Sequence, residues 1–151
     1  MTKSSIMPLW IIYHPSNILE DDETRAKFAK DITGIYTGIG LPAFYVVVNF
    51  IKLDVRDTYV GAKTCVDTPF VRISIEHIAV TLEDSDDVYR KTSAHINDVI
   101  KKNVQPLGAE WEFHVDETER RLWMVKGLVA PPFGSEAEKQ WAKQNAATPW
   151  E

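Results

Sequence analysis

The chain has 151 residues, a formal net charge of −5, 44% hydrophobic residues and 26% charged ones. That composition fits one compact globular domain and argues against a nucleic-acid surface or an anionic membrane as the main partner. No apolar run reaches the roughly 20 residues that a membrane helix needs, and the polar start Met1-Thr2-Lys3-Ser4-Ser5-Ile6 lacks the apolar core of a secretory signal.

Residues 1–7 read as a short arm ahead of a single domain over 8–151. The domain opens with Met7-Pro8-Leu9-Trp10-Ile11-Ile12-Tyr13-His14, an apolar run closed by the turn Pro15-Ser16-Asn17. A run of that length between turn signals predicts a strand buried on both faces, and proline is tolerated at a strand's first residue. Pro8 carries chemistry only if it is a chain terminus. An acylated proline nitrogen has no useful basicity. A free one is a secondary amine whose pKa an apolar or cationic pocket lowers toward neutrality, making it a proton carrier.

Asp21 and Asp22 can cap a helix, and Phe28, Ile32, Ile35 and Ile39 recur at helical spacing until Gly38, Gly40 and Pro42 stop it. Ala43 to Ile51 is β-branched and aromatic and predicts a second buried strand. Strand, helix and strand with short joins make a βαβ unit over 8–53 with parallel strands. Lys52 to Thr68 reads as a loop with a short strand at Thr58-Tyr59-Val60.

A second unit spans 69–115. Its first strand alternates Val71, Ile73 and Ile75 against Arg72, Ser74 and Glu76. Its helix starts at Asp84 or Ser85, carries Val88, Thr92, Ile96 and Val99, and ends at Pro106 and Gly108. Ala109 to Val115 alternates as its second strand. Pro8-Leu9-Trp10 and Pro69-Phe70-Val71 form a weak echo between the units. Two such units predict an α+β fold with one four-stranded sheet and both helices on one face. The open face would be an apolar liability, so an oligomer is expected.

The tail, 121–151, predicts an edge strand at Arg121 to Gly127 and a short helix capped by Ser135 and Glu138 and bearing Trp141. Trp150 is expected to pack on a neighbouring subunit. Cys65 is the only cysteine, which excludes an internal disulfide and fits a reducing, cytoplasmic compartment. Glu83-Asp84-Ser85-Asp86-Asp87 is a helix start rather than a calcium loop, and His114, Asp116 and Glu117 form a strand-to-turn cluster without metal-ligand spacing elsewhere. No metal and no cofactor is expected.

Pro8 to Pro15, Ala29 to Thr33, Leu41 to Val48, Trp111 to Thr118, Gly127 to Pro132 and Gly134 to Lys139 resemble the tautomerase superfamily. The resemblance is to a fungal branch near cis-3-chloroacrylate dehalogenase, also described as oxalocrotonate tautomerase. It covers nearly the whole chain from Pro8. It implies two fused βαβ units, a homotrimer, and an N-terminal proline as the catalytic group. In tautomerases the proline moves a proton between carbon and oxygen. In the dehalogenase type it protonates carbon while arginines hold the carboxylate and a glutamate with a tyrosine activates water.

Carried over by position, Pro8 takes the proline place and Arg72 is the best anion binder, since a guanidinium grips a carboxylate bidentately. Tyr36 stands where the dehalogenase helix has a histidine, Val80 where relatives have an arginine, and Phe113 where the dehalogenase has its tyrosine. No acid precedes Gly127 within Met124-Val125-Lys126. The resemblance thus implies a catalytic pair Pro8 and Tyr36 with Arg72 and His77 binding a small carboxylate-bearing enol or unsaturated acid. The rival readings are a sheet-packing role for His77, an ion pair of Arg72 with Glu76, a non-catalytic trimeric homologue, and a hydratase or dehalogenase using a different base.

Overall fold

The computed structural model describes residues 6–78 and 80–150. Most of the expected arm, Met1 to Ser5, lies outside the described residues. Strand β1 (Met7–Pro15) leads to helix α1 (Asp22–Thr37), and a 3-10 turn (Ala43–Tyr45) leads to β2 (Val47–Leu53). A small hairpin, β3 (Tyr59–Val60) with β4 (Lys63–Thr64), precedes β5 (Phe70–Ile78), α2 (Asp86–Val104) and β6 (Glu110–Thr118). The tail holds β7 (Met124–Val125), β8 (Leu128–Val129) and α3 (Glu136–Gln144).

The main sheet runs β2-β1-β5-β6. Within each unit the strands are parallel, β1 with β2 and β5 with β6, while β1 and β5 pair antiparallel at the centre. Two units joined this way are related by an approximate two-fold axis between β1 and β5. Alternate residues face one core: Pro8, Trp10, Ile12 and His14 from β1, and Val71, Ile73, Ile75 and His77 from β5. Phe28, Ile32 and Tyr36 from α1, with Ile96, Ile100 and Val104 from α2, cover them.

The helices begin and end for local reasons. The Asp21 side chain accepts the Thr24 N–H, 2.8 Å away, and Asp22 and Glu23 lie in the positive first turn of α1. The helix runs only to Thr37, so its buried stripe is Phe28, Ile32 and Tyr36, and Ile39 lies 53% exposed beyond its end. Pro42 caps the turn Ala43–Tyr45, which delays β2 to Val47. β2 is an edge strand with Val47 and Ile51 exposed, not the strand buried on both faces that its composition predicts. The helix α2 gives way to a 3-10 turn at Gln105–Leu107, closed by Gly108 at φ 74°, a conformation that glycine takes without strain.

The tail strand is shorter than expected and joins a hairpin of its own with β8. Ser135 caps α3 by accepting the Glu138 N–H, and the buried Glu138 carboxylate accepts the Gly134 N–H at 2.9 Å. Trp141 is buried against the rings of Phe44 and Tyr45, and Tyr45 meets Trp123 edge-on. Within the chain, the Trp150 Nε1–H donates to the Val129 carbonyl at 2.8 Å. Among the described residues no helix is long and apolar enough to cross a membrane.

Candidate active site

The parallel and antiparallel pairings bring four element ends to one end of the sheet. The start of β1, the end of α1, the end of β5 and the end of β6 meet there. Pro8 stands directly across from His77 in the β1–β5 ladder, and the two share the core face. Facing residues in such a pair have side chains in contact distance. On the other side of His77, Glu117 of β6 is in register. Its Oε2 accepts the Leu82 N–H at 2.5 Å, tying down the segment after β5.

Tyr36 reaches this end because it is the penultimate residue of α1, on the stripe already set by Phe28 and Ile32. Its hydroxyl is 2.8 Å from His77 Nε2 and accepts the Trp10 Nε1–H at 3.0 Å. The three side chains are almost wholly buried, at 0% exposure for Trp10, 2% for Tyr36 and 4% for His77. The Tyr36 and His77 rings meet edge-on, 5.6 Å between centroids.

Burial sets the protonation of this chain of groups. Burial alone lowers the His77 pKa to about 4, so its ring is neutral at physiological pH. Burial raises the Tyr36 phenol well above its ordinary range, opposed only in part by the Trp10 hydrogen bond, so its proton stays on. His77 Nδ1 is buried without a hydrogen-bond partner among the described residues. Buried polar atoms are nearly always satisfied, and an unpaired one costs about 1–3 kcal/mol. Nδ1 is thus the one atom of the cluster with unspent bonding capacity.

Residues 7–146 match the family model described as "Putative oxalocrotonate tautomerase enzyme". The chain belongs to this tautomerase family. Native RhCC from Rhodococcus jostii RHA1 is 36% identical, over 94% of this chain and 99% of that one, with a TM-score of 0.87. The structure of "a probable enzyme from the thermophilic fungus Aspergillus fumigatus" is 36% identical over 97% and 99% of the two chains, with a TM-score of 0.86. N1, a member of the cis-3-chloroacrylic acid dehalogenase family, shares 16% identity over 91% and 97% of the two chains at a TM-score of 0.66, a likeness of fold. No curated protein matches the chain.

In this family member the structure brings Pro8, Tyr36 and His77 to one end of the sheet and sets Arg72 apart. Arg72 lies on the opposite face of the sheet, paired with Tyr13, five positions back along β5 from His77. At about 3.3 Å per residue that is roughly 16 Å. There its guanidinium donates to the Ile73 carbonyl at 2.8 Å and lies 2.6 Å from His114 Nδ1, while His114 Nε2 is 3.1 Å from Asp116. Its ion-pair partner is Glu112, at 3.8 Å, and not Glu76. Val80 is buried. Among the described residues no group of three or more His, Cys, Asp or Glu side chains is placed to hold a metal.

Sequence reasoning did not place Trp10 at this site, and it read Glu117 only as part of a strand-to-turn cluster. The signal for Trp10 was available, since strand residues two apart share a face, so a site at Pro8 has Trp10 beside it. Nothing local could reveal Glu117, because its place depends on the register of β5 against β6.

Proposed function

We propose that the chain moves a proton between carbon and oxygen of a small carboxylate-bearing enol or unsaturated acid. Pro8 is the proton carrier when its nitrogen is a free amine, and Tyr36 and His77 assist at the oxygen. The observation that carries this reading is the burial of Pro8 directly across from His77, which is hydrogen-bonded to Tyr36, in a chain of the tautomerase family. A buried, apolar setting lowers an amine's pKa, which suits a group that must both take and give a proton near neutrality.

Arg72 enters as the carboxylate binder only through a second copy, since its own Pro8 lies across the sheet. We propose a homotrimer for this reason. The half-buried open face that carries Leu9, Ile11 and Tyr13 beside Arg72 supports it. So does the likeness of fold to a fused 4-OT described as an asymmetric trimer, 17% identical over 80% and 94% of the two chains at a TM-score of 0.58.

The test starts with mass spectrometry of the protein from its source, where the catalytic form should begin at Pro8. That form should ketonise phenylenolpyruvate, and Pro8→Ala should reduce the rate by at least about 100-fold. Equal rates for the two would sink the proposal. One observation favours the non-catalytic reading for chains that keep Met7: that residue continues β1 opposite Ile78 and acylates the proline nitrogen. Turnover by such chains would count against it.

A further inference from the structure

We propose that Trp10 and Tyr36 are positioning residues that hold His77 as a neutral ring with its proton on Nδ1, and that this N–H receives the keto or enolate oxygen of a 2-keto acid lying against Pro8. The substrate half of the inference rests on the proton-carrier reading of Pro8; the tautomer half does not.

The direction of the hydrogen bonds follows from what each group can do. Indole Nε1 is a donor only, so Trp10 donates to the Tyr36 oxygen. Tyr36 then has one proton left. If it donates to His77 Nε2, the phenol is used in both directions, and the ring proton falls on Nδ1. If instead Nε2–H donates to Tyr36, both the Tyr36 proton and the Nδ1 lone pair are left buried without partners. The first arrangement leaves one unpaired group and the second leaves two, at about 1–3 kcal/mol for each. The first wins. Glu117, the acid in register with His77, gives its Oε2 to the Leu82 N–H, and Nδ1 has no hydrogen-bond partner among the described residues.

A neutral N–H donor matches the chemistry at this spot. Keto–enol exchange needs a base for the carbon and a donor for the oxygen one carbon away. Pro8 and His77 are cross-strand neighbours on one face and can take the two ends. The C–H bond breaks to the free Pro8 nitrogen, its electron pair forms C=C, and the carbonyl pair moves onto oxygen. The prolinium then gives that proton to the oxygen, which completes the enol, and ketonisation runs the same steps in reverse. His77 gives up no proton in this step; it donates a hydrogen bond that strengthens as charge gathers on the oxygen. A neutral imidazole can polarise a carbonyl in this way.

The experiment is NMR of the full chain labelled with 15N in its histidine rings, which requires no turnover. At pH 7, His77 should show a protonated Nδ1 and an unprotonated Nε2. In the form beginning at Pro8, phenylpyruvate should shift the Nδ1 resonance and its proton, with binding to that form measured separately by calorimetry. Tyr36→Phe, a near-isosteric change, should give a mixture of tautomers, and Trp10→Phe a smaller shift the same way. A ring protonated on Nε2, or an imidazolium at pH 7, overturns the tautomer assignment. Calorimetric binding of phenylpyruvate without a response at Nδ1, or absence of binding, overturns the substrate contact. Should Pro8→Ala prove as active as the parent while these spectra hold, the proton-carrier reading fails and the donor assignment stands.

Discussion

The fold contains its own control for the candidate site, because each βαβ unit buries one histidine at the matching place. His14 follows Pro8, Trp10 and Ile12 on the core face of β1, just as His77 follows Val71, Ile73 and Ile75 on β5. The equivalence places Val71, not Pro69, at the position that Pro8 holds in the first unit, so the proline echo in the sequence is offset by two residues. His14 is fully spent. Its Nδ1 bonds the Pro15 carbonyl at 2.9 Å, and its Nε2 lies 3.3 Å from the Arg25 guanidinium of its own unit's helix. His77 is half spent, and its one partner, Tyr36, comes from the other unit's helix. Equivalent positions in a repeat become a packing residue or a site residue according to whether the local partners use up the ring.

The largest test of this contrast is pH. The folded pKa of His77, about 4, lies below the roughly 6.5 of an unfolded histidine, so unfolded chains take up a proton first as pH falls. Stability should be unaffected by His77 above pH 6.5 and should decline from there to pH 4, by up to about 3 kcal/mol. Urea melts of the parent and of His77→Asn across that window should differ by this slope, and parallel curves would mean that the ring is not held neutral. Next in size is chemistry. In the form beginning at Pro8, His77→Leu should lower kcat about 100-fold, as loss of one oxyanion donor does. His77→Asn keeps an N–H near the Nδ1 position and should recover much of that loss.

His14→Leu should show the opposite pattern. It should cost about 2 kcal/mol of stability, through two lost hydrogen bonds, and leave kcat within about twofold. A large loss of kcat there would erase the distinction between the two histidines. The smallest effect is expected at Tyr36→Phe, with about a tenfold fall in kcat, equal to 1.4 kcal/mol, and little change in KM. A change confined to KM would show that Tyr36 shapes the pocket and does not orient His77.

Much of this architecture was legible in the residues. The two strand–helix–strand units, the Asp21 and Ser135 caps, and the parallel pairing inside each unit follow from hydrophobic period, short-range side-chain bonding and short connections. Even the parity of β5 was readable, since His77 shares its alternation with Val71, Ile73 and Ile75 while Arg72 falls on the other face. These are local properties, fixed within a few residues along the chain.

Which residues meet was decided only in the folded molecule. A strand's alternation says which side a residue takes but not which strand lies next to it, in what direction or register. The antiparallel join of β1 to β5 puts Pro8 opposite His77 and leaves Arg72 far along the other face. The packing of α1 across that join brings Tyr36, 41 residues away in the chain, to His77. The candidate site is a product of that one long-range pairing, and no local pattern in the sequence could specify it.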